Sequence, residues 1–214
     1  MSSGNNLDEF LNNQPKNVHS SDRALANLVR NAYPIGVPAL IMKSSTDRMM
    51  ISSGYSFILG TPDELLRSLA SWLITEAGNT HRVLLKLIKR LWKRHGREDV
   101  ALAAILLANI DHKGMGTNPW EILEDSIHPV ESVDSLLLNI EELFRAKRQP
   151  PREDLILKWI NGRKIDQHLS LIVTYSGKVH GHDFSKEVIE KISLIEIPSG
   201  DSILTRIKSK LLDN

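Results

Sequence analysis

The sequence predicts an all-α protein, a right-handed superhelix built from antiparallel helix pairs. Three observations predict it. After Thr61, apolar residues recur at three- and four-residue spacing. No segment of that region shows the period-two alternation of a half-buried strand. Four helix starts, near Asp99, Ser132, Asp166 and Ser202, are separated by 33, 34 and 36 residues. Each is preceded by another helical segment, and paired helices repeating every ~30–45 residues are the sequence mark of a helical solenoid.

Taken in order, residues 1–21 are rich in Asn and Ser and read as a flexible N-terminal tail. Residues 22–214 then form a single helical-repeat domain. A helix over Asp22–Ala32 should stop before Pro34, and the stretch 35–60 carries Gly, Pro and Ser with no helical period. Thr61-Pro62-Asp63-Glu64 reads as a helix start: a hydroxyl N-cap, proline at the first helical position, acids in the first turn. The next helix, His81–His95, carries Leu84, Leu87, Ile88 and Leu91 on one face and Arg82, Lys86, Lys89, Arg90 and Lys93 on the other. Gly96 would close it as a C-terminal glycine. The first helices of the later pairs are expected at Pro119–Ile127, Arg152–Ile160 and Ser185–Ser193.

The chain has 214 residues, 41% hydrophobic and 25% charged, which suits a folded domain with a sizeable core. It has no cysteine, so disulfides and thiolate metal sites are excluded. No apolar run approaches the ~20 residues that span a bilayer, and the polar N-terminus has no signal-peptide core. The expectation is a cytoplasmic protein without a membrane contact. Net charge is only +1, but the charge is segregated. Arg82 to Arg97 holds seven Lys or Arg and no acid, and Glu121 to Glu142 holds seven acids and no Lys or Arg. The basic helix face admits two readings, a phosphate-binding stripe and the solvated outer face of an amphipathic helix. A charge run by itself favours the second.

Few motifs carry chemistry. His180-Gly181-His182 has no acid at a familiar ligand spacing, so no metal and no cofactor is expected. There is no phosphate-cradling glycine loop and no serine-nucleophile elbow. The informative segment is Pro129-Val130-Glu131-Ser132-Val133-Asp134-Ser135. On its own, Asp134 is a carboxylate in a helix's first turn, where it meets the positive end of the dipole.

Its surroundings add to that reading. Phe57-Ile58-Leu59-Gly60-Thr61-Pro62, Leu91-Trp92 followed by Arg97-Glu98-Asp99-Val100-Ala101-Leu102-Ala103-Ala104, Glu131-Ser132-Val133-Asp134-Ser135 and Lys158-Trp159-Ile160 occur in this order at near-equal spacing. Together they resemble the HEAT-repeat alkylpurine DNA glycosylases over roughly Phe57 to the C-terminus. The resemblance implies a HEAT-like α-α superhelix whose concave surface, lined by the second helix of each pair, takes duplex DNA, alkylated or distorted. It implies hydrolysis of the N-glycosidic bond of N3- or N7-alkylated purines without base flipping, with Asp134 in the catalytic role. Such a purine is already cationic and leaves without a general acid, so one carboxylate that stabilises an oxocarbenium-like sugar and positions water suffices. The candidates for DNA contact are Arg163, Lys164, His168, Arg206 and Lys208, which flank or occupy the repeats that would line the groove.

The departures are equally specific. The family places a tryptophan four residues before the aspartate, and this chain has Val130. The family's DNA-contacting arginine falls at Leu169, beside His168, and its terminal Trp and Arg fall near Ser209 and Leu212. Two rivals therefore stand beside the enzyme: a relative that binds distorted or branched DNA without cleaving it, and a helical-repeat scaffold with a protein partner.

Overall fold

The computed structural model describes residues 3–38 and 54–213, and every regular element among them is a helix. Most of the 35–60 stretch lies outside these residues; its described end, 54–60, has no regular structure. The chain groups into two compact units, Met1–Ile122 and Leu123–Asn214, where the sequence presents one domain from residue 22.

The first unit contains α1 (Ser3–Asn12), a short 3₁₀ helix (Lys16–Ser20), α2 (Asp22–Ala32), α3 (Asp63–Ala77), α4 (Arg82–Arg94), α5 (Arg97–Asn109) and α6 (His112–Met115). The next helix, α7 (Pro119–Ser126), ends within the second unit. The expected loose tail is a correction, because residues 3–21 are largely helical and packed. Leu7 and Leu11, one turn apart, are 2% and 4% exposed, and the His19 ring lies 4.6 Å from that of Trp72. Two leucines at helical spacing supply an apolar stripe that the Asn- and Ser-rich composition hides.

Helix α5 is the centre of this unit. Glu98 through Ala108 are all buried, as expected of a helix surrounded by protein. Its alanines, Ala101, Ala103, Ala104 and Ala108, are what let α3 and α4 approach it. Alternate helices also meet, α2 on α4 and α3 on α5.

Two carboxylates at the start of α5 tie these elements together. Glu98 is fully buried, and its Oε1 accepts hydrogen bonds from the backbone N–H of Leu59 (2.9 Å), Gly60 (2.9 Å) and Thr61 (3.4 Å). Asp99, also fully buried, accepts from one edge of the Arg94 guanidinium, Nη2 at 2.5 Å to Oδ1 and Nε at 2.6 Å to Oδ2. The Tyr33 hydroxyl donates to Asp99 Oδ1 at 2.8 Å, and Arg94 Nη1 donates to the Ala26 carbonyl at 2.7 Å. Burial, reinforced by the Asp99 charge, pushes the Tyr33 phenol well above its ordinary pKa.

This network corrects three expected details. Thr61 does not cap α3; it is buried and its hydroxyl donates to the Tyr33 carbonyl at 2.9 Å. The left-handed residue after α4 is His95, at φ 59°, and not Gly96. Gly96 is required for another reason, since a Cβ there would lie 1.9 Å from Cζ of the Phe57 ring. The same ring carries the Arg30 guanidinium, 3.6 Å from its centroid. Helices α5 and α10 (Lys164–Val179) start two residues before the expected Asp99 and Asp166, because each aspartate reaches back from the third helical position. They accept from the N–H of Gly96 (3.4 Å) and Arg163 (2.9 Å).

The second unit contains α8 (Val133–Arg145), α9 (Glu153–Ile160), α10, α11 (Lys186–Ser193) and α12 (Ser202–Leu212). Helix α9 packs on α10 and α11 on α12, while α8 meets α10, α9 meets α11 and α10 meets α12. Leu136, Ile140, Trp159, Leu169, Ile172, Val188 and Leu204 form the fully buried core. Starts are fixed by side chains: Ser132, Ser185 and Asp201 accept the N–H of Ser135, Val188 and Leu204.

Two stability outcomes follow from the first unit. Asp99→Ala leaves the buried Tyr33 hydroxyl and the half-buried Arg94 without their shared acceptor and should cost about 3 kcal/mol, read as a lowered urea midpoint. Gly96→Ala should cost about 1–3 kcal/mol through overpacking on Phe57. In the Phe57→Ala background the same change should cost much less, and additive losses would exclude the contact as the cause.

Candidate functional site

Asp134 sits in the first turn of α8 with its side chain exposed. The orphan N–H groups of that turn are not left to it, because Ser132 is the N-cap. Ser132 Oγ accepts from Ser135 N at 3.1 Å and lies 2.9 Å from Ser135 Oγ. Four acids that stabilise the fold, Glu98, Asp99, Glu142 and Asp166, are buried, each carrying a bond to a neighbour. Asp134 differs from them in both respects: it is exposed and has no hydrogen-bond or ion-pair partner among the described residues. Val130 lies four residues before Asp134, in a bend ahead of the N-cap and outside the helix, and is 84% exposed, so it contributes an unburied apolar surface but no aromatic one.

The five cationic or imidazole candidates divide. Arg163 is engaged by Asp166, with Nε and Nη2 at 2.9 and 2.8 Å from its two oxygens. Lys208 donates to the Ile195 carbonyl at 2.7 Å, fastening α12 to the segment after α11. Leu169, where the resemblance looks for an arginine, is fully buried in the core. Lys164 and Arg206 remain exposed, with no ion pair among the described residues. Lys164 opens onto a groove of about 650 Å³ shared with Gln167, Lys191, Leu194, Ile195 and Ile197. Sequence reasoning missed this groove, although Leu194-Ile195-Glu196-Ile197-Pro198 is an apolar run just past a helix end.

His168 lies one turn after Lys164 and is half-buried. Burial holds its pKa below the ordinary histidine value; the Asp201 carboxylate opposes that and Lys164 adds to it. At neutral pH the ring is therefore uncharged and offers no cation to a phosphate.

One further polar cluster joins α8 to α10. Ser176 Oγ donates to Glu141 Oε1 at 2.7 Å, and His180 Nε2 lies 3.2 Å from Glu141 Oε2. The His180 ring stacks on Phe144 at 5.1 Å. The serine is bonded to the carboxylate and not to the histidine, so this is not a nucleophile–base pair. It is a tertiary tie.

Compared with known proteins, the chain matches no family model, no curated protein and no solved structure. Among the described residues, no group of three or more His, Asp or Glu is arranged to hold a metal ion. No helix among them is long and apolar enough to cross a membrane.

His168 sets a pH dependence whose sign is fixed. Its folded pKa is below its unfolded value of about 6.5, so its contribution to stability is complete above that pH and is lost as the pH falls through the folded value. Thermal unfolding at pH 7.5 and 5.5 should show a smaller acid-induced drop in Tm for His168→Gln than for the wild type. An equal drop would place the acid sensitivity elsewhere.

Proposed function

We propose that this chain binds duplex DNA as a HEAT-like superhelix, related in kind to the alkylpurine DNA glycosylases, and that Asp134 is its site for glycosidic hydrolysis. The observation that carries the reading is the exposed, unengaged carboxylate of Asp134 on a helix turn that Ser132 already caps. A carboxylate in that position gains only the attraction of the helix dipole from the fold and is open to a ligand. The packing of alternate helices within each unit (α2 on α4, α3 on α5, α8 on α10, α9 on α11, α10 on α12) supports the repeat architecture, since stacked helix pairs make these contacts.

The chemistry asks little of the protein. The bond from C1′ to the purine nitrogen breaks, its electron pair goes to the cationic base, and water adds to the sugar and loses a proton. Asp134 faces the developing oxocarbenium charge and accepts that proton. What the site lacks is an aromatic face against the sugar, because Val130 offers no comparable electrostatic attraction to a developing cation. Excision is accordingly slow, and DNA binding is the stronger of the two activities.

Single-turnover release of 7-methylguanine from methylated duplex is the deciding measurement. Asp134→Asn should abolish most of any release while leaving far-UV circular dichroism and duplex binding unchanged, and Val130→Trp should raise the rate. Robust release indifferent to Asp134→Asn would defeat the mechanism. Release from none of the three proteins, with binding intact, would make this a DNA-binding relative without chemistry.

A further inference from the structure

We infer that the outer face of α4 is the principal phosphate-binding surface of the protein, a row of cations that engages the backbone of duplex DNA; the inference rests on the DNA-binding reading above. The second unit is poorly supplied with available positive charge. It contains 13 Lys and Arg against 15 Asp and Glu, and the first unit contains 14 against 11. Many of the second unit's cations are also committed internally: Arg145 to Glu142, Arg152 to Asp154, Lys158 to Glu124, Arg163 to Asp166 and Lys191 to Glu187.

Helix α4 is different. Arg94 is consumed by Asp99, and Arg90 is paired with Asp22 at 2.6 Å. Arg82, Lys86, Lys89 and Lys93 remain exposed, with no ion pair among the described residues. They occupy positions i, i+4, i+7 and i+11. At 100° per residue these fall within an arc of about 60°, and at 1.5 Å per residue they extend over about 16 Å. The apolar side of the same helix, Leu84, Leu87, Ile88, Leu91 and Trp92, is buried, so the row is held on a fixed support.

A solvated helix face usually intersperses acids that relieve repulsion between like charges one turn apart. Here the sequence from Arg82 to Arg97 contains none, and Asp22 answers only one edge of the row. Duplex DNA presents one negative charge per ~1.7 Å of its axis, and each cation that neutralises a phosphate releases condensed counterions. A straight cationic row of this length is matched to that partner.

The test is fluorescence anisotropy with an unmodified 20-base-pair duplex over a range of salt concentrations. Lys86→Gln/Lys89→Gln/Lys93→Gln should weaken binding by on the order of tenfold or more and flatten the log–log salt slope by roughly 0.9 per cation removed. Arginine at the same three positions should preserve both. The comparison variant is Lys164→Gln/Arg206→Gln, with thermal unfolding as the folding check on each protein. Wild-type affinity in the folded glutamine triple variant would overturn the α4 assignment, and loss confined to Lys164→Gln/Arg206→Gln would leave the DNA-binding reading standing without it. Failure of the wild type to bind duplex at low salt would remove that reading and the α4 assignment together. Binding instead to phosphatidylserine vesicles, lost in the triple variant, would reassign the row to an anionic membrane surface.

Discussion

The buried carboxylate of Asp99 is the constraint around which the first unit is organised. A buried carboxylate must be matched by donors, and this one is matched by one edge of a guanidinium and by a phenol. Satisfying it fixes Arg94 at the end of α4, Tyr33 at the end of α2 and the entry to α5. Arg94 in turn reaches the Ala26 carbonyl on α2. Glu98, the adjacent residue, does the same for the chain entering α3 by holding three consecutive N–H groups. The segments Phe57–Pro62 and Arg97–Ala104, far apart in sequence, are therefore two halves of one structural joint. Their residue types are accounted for by folding, without any catalytic role.

That division separates the acids into two kinds. Glu98, Asp99 and Asp166 are spent on architecture, whereas Asp134 is exposed and carries no such bond among the described residues. A parallel sorting applies to the cations: those paired with carboxylates within the fold have little left for a ligand, and the α4 row has only Asp22, beside Arg90 and Lys86, to set against it among the described residues. The two proposed sites therefore lie in different units, the cationic row in the first and Asp134 in the second.

Much of the helical content was legible in the sequence because most of the helices carry their own apolar stripe and their own stop. Asp22–Ala32 agrees at both ends, since Ser21 caps one and Pro34 lies beyond the other. Boundaries at α5 and α10 were misplaced by two residues because aspartate is a good residue both for the cap and for the third helical position. Only the structure shows that Asp99 and Asp166 reach backward. The role of Gly96 was illegible for a related reason: a glycine after a helix suggests a left-handed closure, but what demands it is a ring 39 residues upstream in sequence. At the candidate site, the exposure of Asp134 could be anticipated from its place in the first turn. The internal engagement of Arg163 and Lys208 could not, because both depend on where neighbouring loops return.

The enclosure of α5 sets the first unit apart from a simple repeat array. In a simple repeat array each pair exposes one surface and contacts only its neighbours, so pairs can be gained or lost with the rest left intact. A helix buried along nearly its whole circumference, with its first turn locked to residues from three other segments, has no equivalent position to which a duplicated copy could be added. A pair inserted beside α5, or a cut there, would part Glu98 and Asp99 from the segments they hold, so the first unit stands or falls as one block.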